Sequence, residues 1–124
     1  MTLTKEDQDK LAKLGPYQRE VLRLLVEVPP GRVTTYGDLA KELARRNPRW
    51  SPKASRAVGT AMKLNPCAPR VPCHRVVRSD GSVGLFRGGE EGGSEAKAEM
   101  LRKEGVEVVG LKIDLNKYRH RFHT

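Results

Sequence analysis

The stretch from Thr35 to Pro66 limits this chain more than any other. Thr35 is a good N-cap, and Leu39, Ala40, Leu43 and Ala44 recur behind it at helical spacing, which predicts a helix to about Arg45. Asn47-Pro48-Arg49-Trp50 reads as a loop. Ser51-Pro52 then supplies an N-cap and a proline at the first helical position, and a second helix runs to about Leu64, where Asn65-Pro66 closes it. Helix, short connection, helix is the pattern of a helix-turn-helix. On the second helix Ala54, Ala57, Gly59 and Ala61 are small, while Lys53, Arg56 and Lys63 carry charge. Small residues admit a close backbone approach, from a packed neighbour or from an external ligand, and the charge favours a polyanion.

The balance of 24 Lys and Arg against 15 Asp and Glu leaves a net charge of +9 and a pI near 9.9. A field of that sign draws phosphate backbones or anionic lipid, and nucleic acid is the expected partner. No apolar run approaches the roughly 20 residues of a membrane span, and the start Met1-Thr2-Leu3-Thr4-Lys5-Glu6-Asp7 lacks the apolar core of a signal peptide. A cytoplasmic protein is expected, or a nuclear one in a eukaryote. The 124 residues suit a single domain, and a monomer is expected.

The remaining elements are expected to be mostly helical. Residues 1–15 form an N-terminal extension whose helix, over about 5 to 13, starts from the capping pair Thr4 and Asp7. Val21, Leu22, Leu24, Leu25 and Val28 mark a core-facing helix behind Pro16, ended by Pro29-Pro30-Gly31. Arg75 to Gly84 reads as a small β-hairpin turning at Asp80-Gly81. Phe86 to Gly93 is a glycine-rich loop without the Gly-Lys-Ser/Thr ending of a phosphate loop. A last helix covers about Glu95 to Glu104, with Ala96, Met100 and Leu101 inward and Gly105 as its stop. Residues 106–124 read as a basic C-terminal tail containing at most a weak strand, with His120 and His123 as solvated surface residues.

Chemistry concentrates in Pro72-Cys73-His74-Arg75-Val76-Val77. This run puts a potential thiolate beside two cations, and nearby positive charge makes a cysteine nucleophilic. No CxxC pair exists and the Cys and His spacing fits no common zinc site, so neither a metal nor a cofactor is expected. The cysteine follows the second helix of the pair by only a few residues, within reach of whatever that helix binds. A base inside a duplex is inaccessible to a side chain, so chemistry on it requires turning the nucleotide out of the stack. Arg56 suits filling the vacated space. The Tyr36 phenol suits pressing a phosphate or bonding a base edge, and serves equally as an ordinary core aromatic.

Five blocks together carry a resemblance: Thr34-Thr35-Tyr36-Gly37-Asp38-Leu39-Ala40, Arg56-Ala57-Val58-Gly59-Thr60-Ala61-Met62, Asn65-Pro66, Pro72-Cys73-His74-Arg75-Val76-Val77, and Gly84 with Gly88-Gly89. In this order they resemble the C-terminal domain of the O6-alkylguanine-DNA alkyltransferases, from about Tyr17 to Gly105. The resemblance implies a winged helix-turn-helix-like fold that enters the minor groove of double-stranded DNA, flips an O6-alkylguanine, and moves the alkyl group irreversibly onto Cys73. It implies His74 as the base acting through water, Glu104 as the group orienting His74, and Asn65 as the brace of the active-site turn. Tyr36 would assist flipping and donate a proton toward the departing guanine, and Arg56 would replace the flipped base. The implied DNA-contacting set is Thr35, Tyr36, Lys53, Arg56, Ala57, Gly59, Lys63 and Arg75. The implied substrate pocket holds Val76, Phe86, Arg87 and Ala68, with carbonyls of Cys73 and Val76 reading the guanine amino group and the Arg87 amide lying near O6.

Phe86 stands where the family often has a tyrosine, and Ala68 where it often has a proline. The size and the ending Ile113-Asp114-Leu115-Asn116-Lys117-Tyr118-Arg119 are similar to the alkyltransferase-like proteins, which bind the lesion without transfer and recruit excision-repair proteins. Those relatives typically carry tryptophan or alanine where this chain has Cys73. A third reading, a sequence-specific transcriptional regulator, leaves the cysteine run without a purpose.

Overall fold

The computed structural model describes residues 3–84 and 93–122. In chain order it contains α1 (Lys5–Ala12), α2 (Pro16–Leu25), β1 (Thr34–Thr35), α3 (Tyr36–Arg46), α4 (Ser55–Lys63), a 3-10 turn (Cys73–Arg75), β2 (Val76–Val77), α5 (Gly93–Lys103) and α6 (Leu115–Tyr118). The fold is mostly helical, as the periodicity predicts. Phe86, Arg87 and the glycine run around them lie outside the described residues.

Local rules account for most helix starts. Thr4 and Asp7 form a reciprocal capping box, with Asp7 N donating to Thr4 Oγ1 at 3.0 Å and Thr4 N to Asp7 Oδ2 at 3.1 Å. Pro16 opens α2, and Thr35 Oγ1 accepts from Asp38 N at 3.0 Å to cap α3. The helix predicted from Ser51 begins instead at Ser55. Ser51 Oγ accepts from Lys53 N at 3.1 Å in a local turn, which competes with helix entry. Trp50 is tied back to α2, donating from Nε1 to Glu20 at 2.6 Å and standing edge-on to Tyr17 at 5.0 Å.

The β structure differs from the expected hairpin. Val76 and Val77 pair in parallel with Thr34 and Thr35. The turn itself forms, with Gly81 N donating to Arg78 O and Arg78 N to Ser82 O, both at 2.9 Å. Its return arm runs against the C-terminal tail, where Ile113 N donates to Gly81 O and Val83 N to Leu111 O. Gly81 is held there at φ 88°, and a Cβ would stand 2.5 Å from the Ile113 carbonyl oxygen. The tail expected as a weak strand is therefore an integral layer: Val106, Val108 and Ile113 are buried, and Val33 exchanges hydrogen bonds with Tyr118 O and His120 N.

Two apolar clusters flank the short sheet. Leu11, Leu22, Leu25, Leu39, Val58, Val71 and Val76 belong to one, and Val33, Val77, Ala98, Leu101, Val106 and Ile113 to the other. Alternation along β2 thus sends Val76 and Val77 into opposite cores. The cysteine turn enters the sheet at this junction.

Candidate active site and nucleic-acid face

Asn65 shapes the approach to Cys73. Its side chain donates to Val71 O at 2.8 Å and accepts from Cys67 N at 2.9 Å, closing the segment between α4 and the 3-10 turn. Cys73 N then donates to Val71 O at 2.9 Å, and Val76 N to Cys73 O. Cys73 is only 5% exposed and its thiol is free, as is that of Cys67. Asn65 therefore ties together the segment that leads into the cysteine turn.

His74 and Glu104 meet although 30 residues separate them. Gly105, at φ 93°, ends α5 with Gly105 N donating to Arg102 O and Val106 N to Leu101 O, both at 3.0 Å. This reversal leaves Glu104 at the helix cap. There its Oε2 lies 3.1 Å from His74 Nε2. An ionised carboxylate fixes the proton on Nε2, which makes Nδ1 the basic nitrogen. Nδ1 is buried with no hydrogen-bond partner among the described residues. Burial holds the His74 imidazole below its ordinary titration range, against the opposing pull of Glu104.

Arg75 corrects one expectation from sequence. Rather than facing DNA, it is 8% exposed and donates to Glu104 through Nε at 2.9 Å and Nη2 at 2.6 Å, and to Val28 O through Nη1 at 2.8 Å. Burial pushes the Glu104 carboxyl up, but hydrogen bonds from Arg75 and His74 outweigh it and hold the group below its usual value. Of the two cations adjacent in sequence to Cys73, one is therefore committed to a carboxylate and the other is neutral.

A buried cation that sequence reasoning missed, Lys97, interacts electrostatically with Cys73. It is 1% exposed on α5, the helix that also positions Glu104. Burial pushes its ammonium down to about 8, with Cys73 pulling it up and Arg78 pushing it down. The signal available in the sequence was a lysine four residues before Leu101, on the buried stripe of the helix. Ala96, expected inward, is exposed instead.

Tyr36 starts α3 and is half-buried. Burial raises its phenol above the ordinary value, with Arg78 opposing and Cys73 adding to the rise, so the phenol shares the electrostatic environment of the cysteine. Val76 is fully buried in the first core, and Ala68 is half-buried beside it.

On α4 and the turn before it, Lys53, Arg56 and Lys63 are exposed. Ala57 and Gly59 are half-buried, and a Cβ on Gly59 would meet nothing within 4 Å. The small residue there is not required by packing within the described chain. Thr35, expected at the DNA contact, is buried and occupied in capping α3.

Comparison with known proteins gives a consistent answer. Residues 16–106 match the family described as 6-O-methylguanine DNA methyltransferase, DNA binding domain. The methylated-DNA--protein-cysteine methyltransferase of Shigella flexneri is 43% identical over 90 residues, covering 73% of this chain and 47% of the relative. The Escherichia coli K12 protein named DNA base-flipping protein is 34% identical over 116 residues, covering 93% of this chain and 82% of the relative. Among solved structures, S. pombe Atl1 in complex with damaged DNA containing O6-carboxymethylguanine superposes with a TM-score of 0.69 at 28% identity, covering 88% of this chain and 98% of that one. The chain spans about half the length, or less, of the curated methyltransferases that it matches most strongly. With the family match extending over most of the described residues and the cysteine turn inside it, the chain belongs to the 6-O-methylguanine DNA methyltransferase DNA-binding-domain family.

Proposed function

We propose that this domain repairs O6-alkylguanine in double-stranded DNA by a single, irreversible transfer of the alkyl group to Cys73. The observation that carries the reading is the cysteine turn itself: a buried thiol next to an imidazole whose Nε2 faces Glu104 and whose Nδ1 has no partner among the described residues, with the buried Lys97 ammonium acting on Cys73 electrostatically. Nucleophile, base and orienting carboxylate are the parts needed to activate a thiol. A purely structural cysteine needs none of them.

In this mechanism His74 Nδ1 takes the Cys73 proton through a bridging water, and Glu104 stabilises the imidazolium. Lys97 supplies a buried cation whose charge interacts with Cys73. The sulfur attacks the alkyl carbon as its bond to guanine O6 breaks, and the bonding pair leaves with the base. Tyr36 gives the departing guanine a proton, since a neutral leaving group departs more easily than an anion. The products are an S-alkylcysteine and guanine, and the proton held by His74 returns through solvent to the Tyr36 phenolate, restoring both side chains. The proposed face is α4, with Arg56 filling the vacated stack and Lys53 and Lys63 meeting phosphates. The open space at Gly59 supports a close external approach.

Incubation with a duplex containing O6-methylguanine is expected to add one methyl group to the peptide holding Cys73. An unchanged intact mass at equimolar lesion would sink the proposal. A second reading, lesion binding without transfer, is favoured by similarity over nearly the whole chain to the base-flipping protein and to Atl1. It predicts no mass change and lesion affinity that survives Cys73→Ala.

A further inference from the structure

We propose that α1 braces the cysteine turn, and that Asp7 and Arg70 are positioning residues for transfer at Cys73; the transfer part rests on the function proposed above. The helix lies before residue 16, where the family match begins. It nevertheless grips the segment that delivers the nucleophile. Asp7 is fully buried, and its carboxylate accepts from Arg70 Nε and Nη2, each at 2.6 Å. That fork holds the Asp7 carboxyl well below the usual carboxylate range, against the effect of burial. A second contact ties the same residue to the same segment, with Cys67 Sγ 3.6 Å from the Asp7 carbonyl oxygen.

Arg70 precedes Val71, whose carbonyl accepts both Asn65 Nδ2 and Cys73 N. The segment is therefore held from inside by Asn65 and from outside by α1. Leu11 completes the attachment, packing in the cluster that contains Cys67, Val71 and Cys73. The two grips act on neighbouring residues, the Val71 carbonyl and the Arg70 side chain. The Val71 carbonyl, which accepts from Cys73 N, sets where the Cys73 backbone begins its turn.

Arg70 is 42% exposed while Asp7 is buried, so the pair also contributes to stability, and amide exchange that rises in the turn but not in α2 and α3 separates placement from that share. A planar guanidinium bonded to both carboxylate oxygens fixes direction as well as distance. What α1 supplies is placement of a loop that would otherwise be anchored at only one side.

The test uses Asp7→Asn, Arg70→Met and the double variant of the full chain. Asp7→Asn keeps a side-chain acceptor for Thr4 N, so the α1 cap is retained while the fork is lost. Backbone amide exchange at residues 67–75 is expected to speed up by about tenfold in Asp7→Asn, with α2 and α3 unchanged. Single-turnover transfer from an O6-methylguanine duplex is expected to fall by about tenfold or more, because small misplacements of reacting atoms are costly. Lesion affinity should stay within about twofold, and the double variant should transfer no more slowly than the worse single one, as for a pair acting as a unit. Unchanged exchange in the turn would overturn the inference, as would exchange that rises equally throughout the helices, or losses of rate and affinity in parallel. If the wild-type chain transfers nothing, the alkyltransferase reading fails, and the brace stands or falls on the amide exchange alone.

Discussion

Two groups of charge in this molecule are built from the same residue types and differ in whether they close. On α3 and the turn after α2, Arg46 bonds Glu27 at 2.7 and 2.8 Å and Glu42 at 2.7 Å, while Arg45 bonds Glu42 at 2.9 and 2.6 Å. Each of these carboxylates faces a guanidinium. Around the cysteine, Arg75 and His74 meet Glu104 in a similar way, but among the described residues His74 Nδ1 has no hydrogen bond and Lys97 no ion pair. The closed network ties α3 to the turn that follows α2. The open one leaves an imidazole nitrogen and an ammonium unpaired among the described residues.

Glu104→Gln strikes the open network hardest. Transfer to Cys73 is expected to fall about a hundredfold in single-turnover assays, because the histidine loses the group that fixes its tautomer. Denaturant unfolding should also show a loss of about 2–4 kcal/mol, since Arg75 is left buried without its anionic partner. From sequence alone this change is expected to slow transfer and spare folding; the Arg75 fork adds the second effect.

Lys97→Met has opposite signs for chemistry and stability. Carbamidomethylation of Cys73 at neutral pH is expected to slow by about fivefold or more as the site loses its cation. Stability should rise by about 1–3 kcal/mol, because holding a lysine near 8 rather than 10.5 is a cost on the order of 3 kcal/mol. A lysine retained only for structure would give a loss of stability instead. The pH dependence sharpens this. Between about 8 and 10.5 the unfolded chain holds the Lys97 proton more tightly than the folded one, so wild-type stability rises with pH and its gap from Lys97→Met closes across that interval.

Glu42→Gln tests the closed network and should have the smallest reach. A loss of about 1–2 kcal/mol is expected at neutral pH, with transfer within about twofold of wild type. Hydrogen bonds from Arg45, and then Arg46, overcome burial and hold the Glu42 carboxyl down to about 2. Its contribution is full above the ordinary 4.5 and disappears as pH falls through 2, so thermal melts of wild type and variant should converge in that window. A large rate effect would mean that the two networks are coupled.

The same contrast explains what the sequence could and could not disclose. Thr4 with Asp7, Pro16, Thr35 and Gly105 act within one helical turn, so their roles are readable from spacing. Cys73, His74, Glu104 and Asn65 could be named from the resemblance, and the hydrogen bonds place them together. Arg75 and Lys97 could not be placed, because charge patterning assigns lysine and arginine to water and nothing local marks an exception. Pairing of Val76 with Thr34 was hidden for another reason: parallel strands have no tight turn to announce them.

Arg32 Nη1 reaches the carbonyl of Lys117 at a separation of 85 residues, beside the bonds joining Val33 to Tyr118 and His120. Those bonds lie next to the strand pair that carries the cysteine turn. During synthesis the helices from α1 to α4 can form early, since their contacts are local. The sheet edge gains its last partner only after residue 120 has left the ribosome, and long-range closures of this kind are slow. The cysteine turn therefore acquires its finished surroundings only once the segment around residue 120 is available to pair.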